Sequence, residues 1–240
     1  IGGKCVILYH EASTGKTWYI EGMDSSGQGL DPEDLINAGS AGRAEGALGV
    51  GVPGMVSAME LGHARWGQLA WKDLLEPSIK LAQAGSTIVP GMLPLIEAKL
   101  ERIRSNEECE RIYLPDGQLP EEGSRLPNPD LAWTMERIAE SGASGFYTGE
   151  VATRIVEGLQ SGGSHLTLED FKHYRAEIRE PLSIEWNGYT LVASGRPTVG
   201  PPRVLLSLNC WKRWGSRMRE VSGHPPISIF TAEPCATSIH

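Results

Sequence analysis

Long apolar runs are missing from this chain. No stretch approaches the roughly 18 consecutive apolar residues that a membrane-spanning helix needs, so the sequence holds no candidate span. A surplus of positive charge is missing too: 22 Lys and Arg face 30 Asp and Glu, a net charge of -8 at pH 7. That balance speaks against nucleic acid as a partner, because phosphate binding requires a basic face. Cysteine is sparse. Cys5, Cys109, Cys210 and Cys235 lie far apart, with no CxxC pair and no histidine at ligand spacing, so neither a zinc module nor a disulfide scaffold is encoded. There is no Gly-x-Ser-x-Gly elbow to present a hydrolase serine. The chain starts at Ile1 without a charged and then apolar leader. Opening inside a strand-like segment, it is expected to lack its native beginning, and the compartment is not readable.

What is present suits a soluble α+β protein, with 40% hydrophobic and 22% charged residues over 240 positions. Cys5 to His10 and Thr17 to Ile20 are β-branched and aromatic runs around a Gly15 turn, which predicts a hairpin. Asp31-Pro32 reads as a helix cap followed by a first-turn proline. A glycine-rich loop runs from Gly39 to Gly54, and beyond Pro53 the apolar period becomes helical. Helical stripes are predicted from Met55 to Trp66, Trp71 to Ala84, Pro90 to Arg104, Leu131 to Ala139 and Val151 to Leu159, with Asn128-Pro129 capping the fourth. Thr167-Leu168-Glu169-Asp170 is a variant capping box. Asn187-Gly188 between Leu182–Trp186 and Tyr189–Val192 is the strongest hairpin signal in the chain. No regular structure is expected from 215 to 240. The middle is helix-rich and strands flank it.

Chemistry-bearing clusters are harder to find. Gly49-Val50-Gly51-Val52-Pro53-Gly54 lacks the lysine of a P-loop and the dinucleotide glycine spacing, so it reads first as a tight strand-to-helix connection. His63 falls on an apolar helical face and reads as a boundary residue. His165 and His173 are not at ligand spacing, and His10 and His224 have no evident partner. Glu107-Glu108, Glu121-Glu122 and Glu169-Asp170 read as solvated loop or first-turn acids, favoured by the helix dipole. No serine or threonine stands out as activated, and no metal or cofactor set is present in the pattern.

Five ordered blocks nevertheless carry a resemblance. The first is Gly49 to Val56, continuing through His63 and Trp66-Gly67 to Trp71-Lys72-Asp73-Leu74-Leu75-Glu76-Pro77-Ser78-Ile79. Leu114-Pro115-Asp116-Gly117 with Leu126 to Ala132 follows, then Gly145 to Glu150 with Gly163 and Leu166 to Phe171, then Tyr174-Arg175-Ala176 with Arg179 to Leu182 and Gly188-Tyr189, while Ile1-Gly2-Gly3 resembles the end of an opening glycine-rich strand. Together they resemble the large-subunit region of the gamma-glutamyltransferase (glutathione hydrolase) family. The resemblance spans residues 1–209, with the N-terminus missing; 210–240 form an atypical tail.

The resemblance implies part of a four-layer αββα sandwich of the N-terminal nucleophile hydrolase class. It implies an autoprocessed precursor whose small subunit opens with a threonine, the nucleophile, and whose α-amine takes the hydroxyl proton. It also implies backbone oxyanion donors, and an arginine that pairs with the glutamyl carboxylate in a bidentate fork. In this sequence that arginine position holds Met23 or Ser25, within Ile20-Glu21-Gly22-Met23-Asp24-Ser25-Ser26-Gly27. Arg43 belongs to another block and is not promoted. The threonine motif should lie downstream of Pro197 to Asn209, where Pro197-Thr198-Val199-Gly200-Pro201 departs from the family pattern. No residue of the chain is therefore assigned to catalysis or substrate binding, no cofactor is expected, and the 240 residues alone are expected to be inactive. The expected partners are the small subunit and a small γ-glutamyl substrate. Two other readings stand beside this one: a non-catalytic homologue serving as a binding module, and an acylase of different specificity.

Overall fold

The chain first turns back on itself at Gly15, whose φ of +68° suits a residue without a side chain. The structure, a computed structural model, describes residues 2–37, 46–195 and 197–222. Strand β1 (Cys5–Glu11) and strand β2 (Lys16–Gly22) form the predicted hairpin, closed by Gly15 N–H on the Glu11 carbonyl at 2.8 Å. His10 spends its ring nitrogen on Thr17 across that hairpin, at 2.9 Å. After it comes α1 (Pro32–Asn37), and the Asp31 carboxylate accepts from Glu33 N–H at 2.9 Å, as the Asp-Pro pair predicts.

The chain divides into two units. The first comprises Ile1–Ile7 and Ile20–Arg179; the second comprises Leu8–Tyr19 and the chain from Glu180 onward. In the first unit, α2 (Met55–Trp66) and α3 (Trp71–Ala84) fall within the predicted spans. The turn between them is tied by His63 Nε2 to the Leu69 carbonyl at 2.8 Å, with the imidazole edge-on to Trp71. His63 is thus a structural residue, as expected. Helix α3 ends at Gly85 and leads into β3 (Ser86–Thr87).

The stripe Leu93, Ile96, Leu100 and Ile103 predicts one helix from Pro90 to Arg104. Instead it is split into α4 (Leu93–Glu97) and α5 (Leu100–Arg104), with Lys99 outside the helical region at φ -115°, ψ 11°. Packing explains the break. All four side chains face a small cluster with Ile88, Leu114 and Leu126, and the chain bends around it rather than running straight past. Helix α6 (Glu107–Tyr113) follows, capped by Asn106, and β4 (Arg125–Leu126) pairs antiparallel with β3.

Asn128 caps α7 (Pro129–Ser141) as predicted, accepting from Leu131 N–H at 2.9 Å. The short α8 (Ser144–Tyr147) and the longer α9 (Gly149–Ser161) come next. Helix α10 (Leu168–His173) carries the full capping box, with Thr167 and Asp170 bonding each other's backbone, and Tyr174 is its C-cap. Strand β5 (Glu177–Arg179) completes a sheet of order β1-β2-β5. The main core gathers Val52, Val56, Phe146, Tyr147, Val151 and Phe171, drawn from α2, α8, α9, α10 and the turn before α2.

In the second unit, β6 (Leu182–Trp186) and β7 (Tyr189–Ala193) form an antiparallel hairpin with Trp186 opposite Tyr189. Asn187 and Gly188 both take positive φ, +48° and +84°, which is the demand of a type I′ turn. Helix α11 (Gly200–Ser222) then runs eight residues into the span for which no regular structure is expected. Two prolines in its first turn start it, and no proline follows within it. A lone Gly215 costs only about 1 kcal/mol against alanine, too little to stop a helix. The rest of the tail lies outside the described residues.

The protein is α+β. Among the described residues, the strands form one three-stranded and two two-stranded sheets, and no helix is long and apolar enough to cross a membrane.

Candidate functional site

The glycine-dense turn before α2 is where separate segments of the first unit meet. Ser25 and Val52 exchange backbone hydrogen bonds in an isolated antiparallel bridge, with N···O distances of 3.2 and 2.8 Å. Gly54 N–H and Met55 N–H both reach the Gly3 carbonyl, at 2.9 and 3.2 Å. These contacts explain the small residues. A Cβ on Gly22 would lie 2.5 Å from the Ala58 Cβ and 2.8 Å from the Gly54 carbonyl oxygen. One on Gly51 would lie 3.0 Å from the Ser25 carbonyl oxygen, and one on Gly54 would strike the Gly22 carbonyl and the Tyr174 hydroxyl. The tight-connection reading of this motif thus matches its geometry.

Two tyrosines anchor the meeting point through main-chain carbonyls. Tyr174 Oη–H donates to the Met23 carbonyl at 2.5 Å, and Tyr147 Oη–H donates to the Pro53 carbonyl at 2.5 Å. Their rings stack with centroids 5.5 Å apart and planes 14° apart. Burial pushes the Tyr174 phenol up to about 12, with the charges of Glu21, Asp24 and Glu177 adding to the shift. Burial also raises the Tyr147 phenol well above the ordinary tyrosine range. Both therefore stay protonated and keep donating at neutral pH. Tyr147 Oη also accepts from Ser57 N–H at 3.3 Å, and the buried Ser57 Oγ accepts from Ala176 N–H at 2.9 Å.

Asp170 secures the other end of the loop. Its Oδ1 accepts from Gln28 N–H at 3.0 Å, while Oδ2 accepts from the Thr167 N–H at 2.9 Å and the Thr167 hydroxyl at 2.7 Å. Partial burial pushes its carboxyl up, but these three donors outweigh it and hold the group below the usual carboxylate range. Between Met23 and Gln28 the loop lines a cleft of about 140 Å3 with Leu48, Gly51, Ser164 and His165. Lys4 Nζ lies 3.5 Å from Asp24, which lines the cleft, and before the loop Arg179 Nε lies 2.8 Å from the Glu21 carboxylate.

Met23 and Ser25, the two candidates for the missing arginine, are both in this loop. Met23 is half-buried and contributes its carbonyl; Ser25 is exposed, lines the cleft and turns its hydroxyl to the Ser26 carbonyl at 3.3 Å. Arg43 lies outside the described residues. His165 lines the cleft, whereas His173 is occupied by the Glu169 carbonyl at 2.8 Å. His224 and Cys235 lie outside the described residues, and Cys5, Cys109 and Cys210 are free thiols. No group of three or more His, Cys, Asp or Glu suited to a metal occurs among the described residues. Glu107-Glu108 opens α6, where Glu108 pairs with Arg111 at 2.7 Å; Glu169-Asp170 opens α10. Thr167–Asp170 and Thr190–Glu185 bring hydroxyls onto carboxylates, but one is a helix cap and the other a cross-strand pair. The geometry is that of a cleft-lining loop held by its backbone, with no assembled nucleophile and base among the described residues.

The gamma-glutamyltranspeptidase family model matches residues 1–227. Glutathione hydrolase 2 of Arabidopsis thaliana is 34% identical over 183 residues, covering 76% of this chain and 32% of its own length. Among solved structures, the gamma-glutamyltranspeptidase of Helicobacter pylori aligns with a TM-score of 0.81 at 25% identity, over 89% of this chain and 62% of that one. A cephalosporin acylase from Bacillus halodurans aligns at 0.71 and 26% identity, over 80% of this chain and 37% of that one. The chain spans about a third of the length of the curated relatives it matches.

Proposed function

We propose that this chain, which belongs to the gamma-glutamyltranspeptidase family, supplies the substrate-binding scaffold of an enzyme that removes a γ-glutamyl group from an amide and passes it to water or an amine. The observation that carries the reading is the Met23–Gly27 loop. By resemblance it stands where the family keeps its substrate arginine, it borders a cleft, and it is tied at both ends to the core.

The nucleophile belongs to sequence outside these 240 residues: the N-terminal threonine of a companion subunit. Its hydroxyl attacks the amide carbonyl and gives its proton to its own α-amine, which passes it to the departing amine. The resulting ester is opened by water or by an acceptor amine. Backbone N–H donors hold the oxyanion that forms in each step.

A second reading concerns the acyl group. Neither Met23 nor Ser25 can offer the bidentate guanidinium that suits a carboxylate. Among the described residues lining the cleft there is no Lys or Arg, and the nearby Lys4 is already paired with Asp24. These features favour an acyl group without an α-carboxylate.

Intact-mass analysis and N-terminal sequencing of the whole protein from its source, followed by anilide turnover, test both readings. A companion polypeptide beginning with threonine, together with release of anilide from a γ-glutamyl substrate, is expected. Preferential turnover of a butyryl anilide shifts the assignment to the second reading. A lone chain without turnover of either overturns both and leaves a binding module.

A further inference from the structure

The segment from Thr167 to Tyr174 is used twice, at opposite ends of one loop. At one end, the Tyr174 hydroxyl holds the Met23 carbonyl at 2.5 Å. At the other, the Asp170 carboxylate holds the Gln28 N–H at 3.0 Å. These ties cross 151 and 142 residues of sequence. A third tie, the Ser25–Val52 bridge, fixes the middle. The fit is close: a Cβ on Gly27 would lie 3.0 Å from Asp170 Oδ2 and 3.0 Å from Leu166 Cδ2. Phe171, fully buried between the two tie points, locks the short helix into the core.

We infer that Asp170 and Tyr174 are positioning residues for the acyl-donor cleft, setting the Met23–Gln28 loop from both ends without touching substrate. The inference rests on the function proposed above, and it is specific about how the cleft is shaped. Between the two ends, the described ties to the rest of the unit are the bridge at Ser25 and the exposed Lys4–Asp24 ion pair. Loss of either end tie lets the cleft wall move while the core beneath it stays in place. The effect belongs in substrate binding, since the reacting group is carried elsewhere.

The test uses the whole processed protein carrying Tyr174→Phe, Asp170→Ala or Asn128→Ala. The last removes a cap of α7, remote from the loop, and serves as a control for general destabilisation. One lost hydrogen bond corresponds to roughly a three- to tenfold effect. The expected result is a KM for the anilide substrate raised by about that factor in the first two variants, with kcat within about twofold. Amide exchange across Met23–Gln28 should quicken in parallel, while α9 keeps its protection. Asn128→Ala should lower the melting temperature and leave KM and loop exchange in place. Unchanged loop exchange in Tyr174→Phe and Asp170→Ala overturns the inference, and so does faster exchange with an unchanged KM. If the unsubstituted protein turns over no anilide, the functional reading fails on its own, and loop exchange alone decides whether these residues position the loop.

Discussion

Gly54→Ala reverses the usual sign of a glycine-to-alanine change. At a glycine with ordinary φ and open space, the added methyl restricts the unfolded chain and stabilises by about 0.4–1 kcal/mol. Gly54 has an ordinary φ of -98° but no space. Its Cβ would strike the Tyr174 hydroxyl and the Gly22 carbonyl oxygen, and would lie 2.5 Å from the Gly22 carbonyl carbon. Two of these three atoms are main chain, so relief requires the end of β2 and the start of α2 to part. Overpacking of this kind costs about 1–3 kcal/mol. Displacing Tyr174 weakens its bond to Met23, adding about 0.5–1.5 kcal/mol. Set against the gain from restricting the unfolded chain, the net expectation is a loss of about 0.5–4 kcal/mol, or about 1–16 °C in melting temperature at 2–4 °C per kcal/mol for a protein of this size. Gly158→Ala is the matched control. It sits inside α9, where an added Cβ would meet nothing within 4 Å, and should gain about 0.5–1 kcal/mol. Calorimetry of the two variants beside the parent reads both signs at once. A Gly54→Ala protein melting at or above the parent temperature would refute the close-packing account of the Val-Pro-Gly turn.

The remaining predictions concern charge and surface. Asp170 has its carboxyl held below the ordinary aspartate value of 3.8, so its contribution is present above that value and is lost as pH falls through the lower folded value. Acid unfolding followed by circular dichroism should show Asp170→Asn flattening that limb; an unaltered limb counts against the three-donor carboxylate. Tyr174 is shifted the other way, from 10.0 to about 12, so its contribution is complete below pH 10 and fades as pH rises toward 12. Absorbance titration should find one fewer tyrosine ionising near pH 12 in Tyr174→Phe than in the parent. The 240 residues expressed alone should self-associate, since β1 is an edge strand exposing Val6 and Leu8, and α11 exposes Leu206 and Trp211. A monodisperse monomer in sedimentation velocity would contradict that.

Legibility followed the range of the interactions. Asn187-Gly188, the Asn128 cap and the Thr167–Asp170 box all act within a few residues, and the sequence carried each one with its position. The split between α4 and α5 was not legible, because the stripe Leu93, Ile96, Leu100, Ile103 is the same for a straight helix and for a bent one around Ile88 and Leu126. The reach of α11 to Ser222 escaped because a helix without a sustained apolar period gives no periodic signal. The site was half visible. Resemblance directed attention to Met23 and Ser25, but Asp170 read only as a local capping-box and first-turn acid and Tyr174 only as part of a block. Their partners, Gln28 and Met23, are remote in sequence and are held through main-chain atoms, which leave no trace in residue identity. The glycines at 22, 51 and 54 were the available signal: small residues recurring where backbones must touch.

The choice of a main-chain acceptor at residue 23 separates two kinds of mutability. A tyrosine gripping a side chain would bind the loop's place to that residue's identity, and each substitution there would loosen the fold. A tyrosine gripping a carbonyl is indifferent to what the residue carries. The loop can therefore change the side chain it carries at residue 23 while its path stays the same, so identity there can drift without a penalty in architecture. A substitution at this one position needs no compensating change in the tyrosine that holds it.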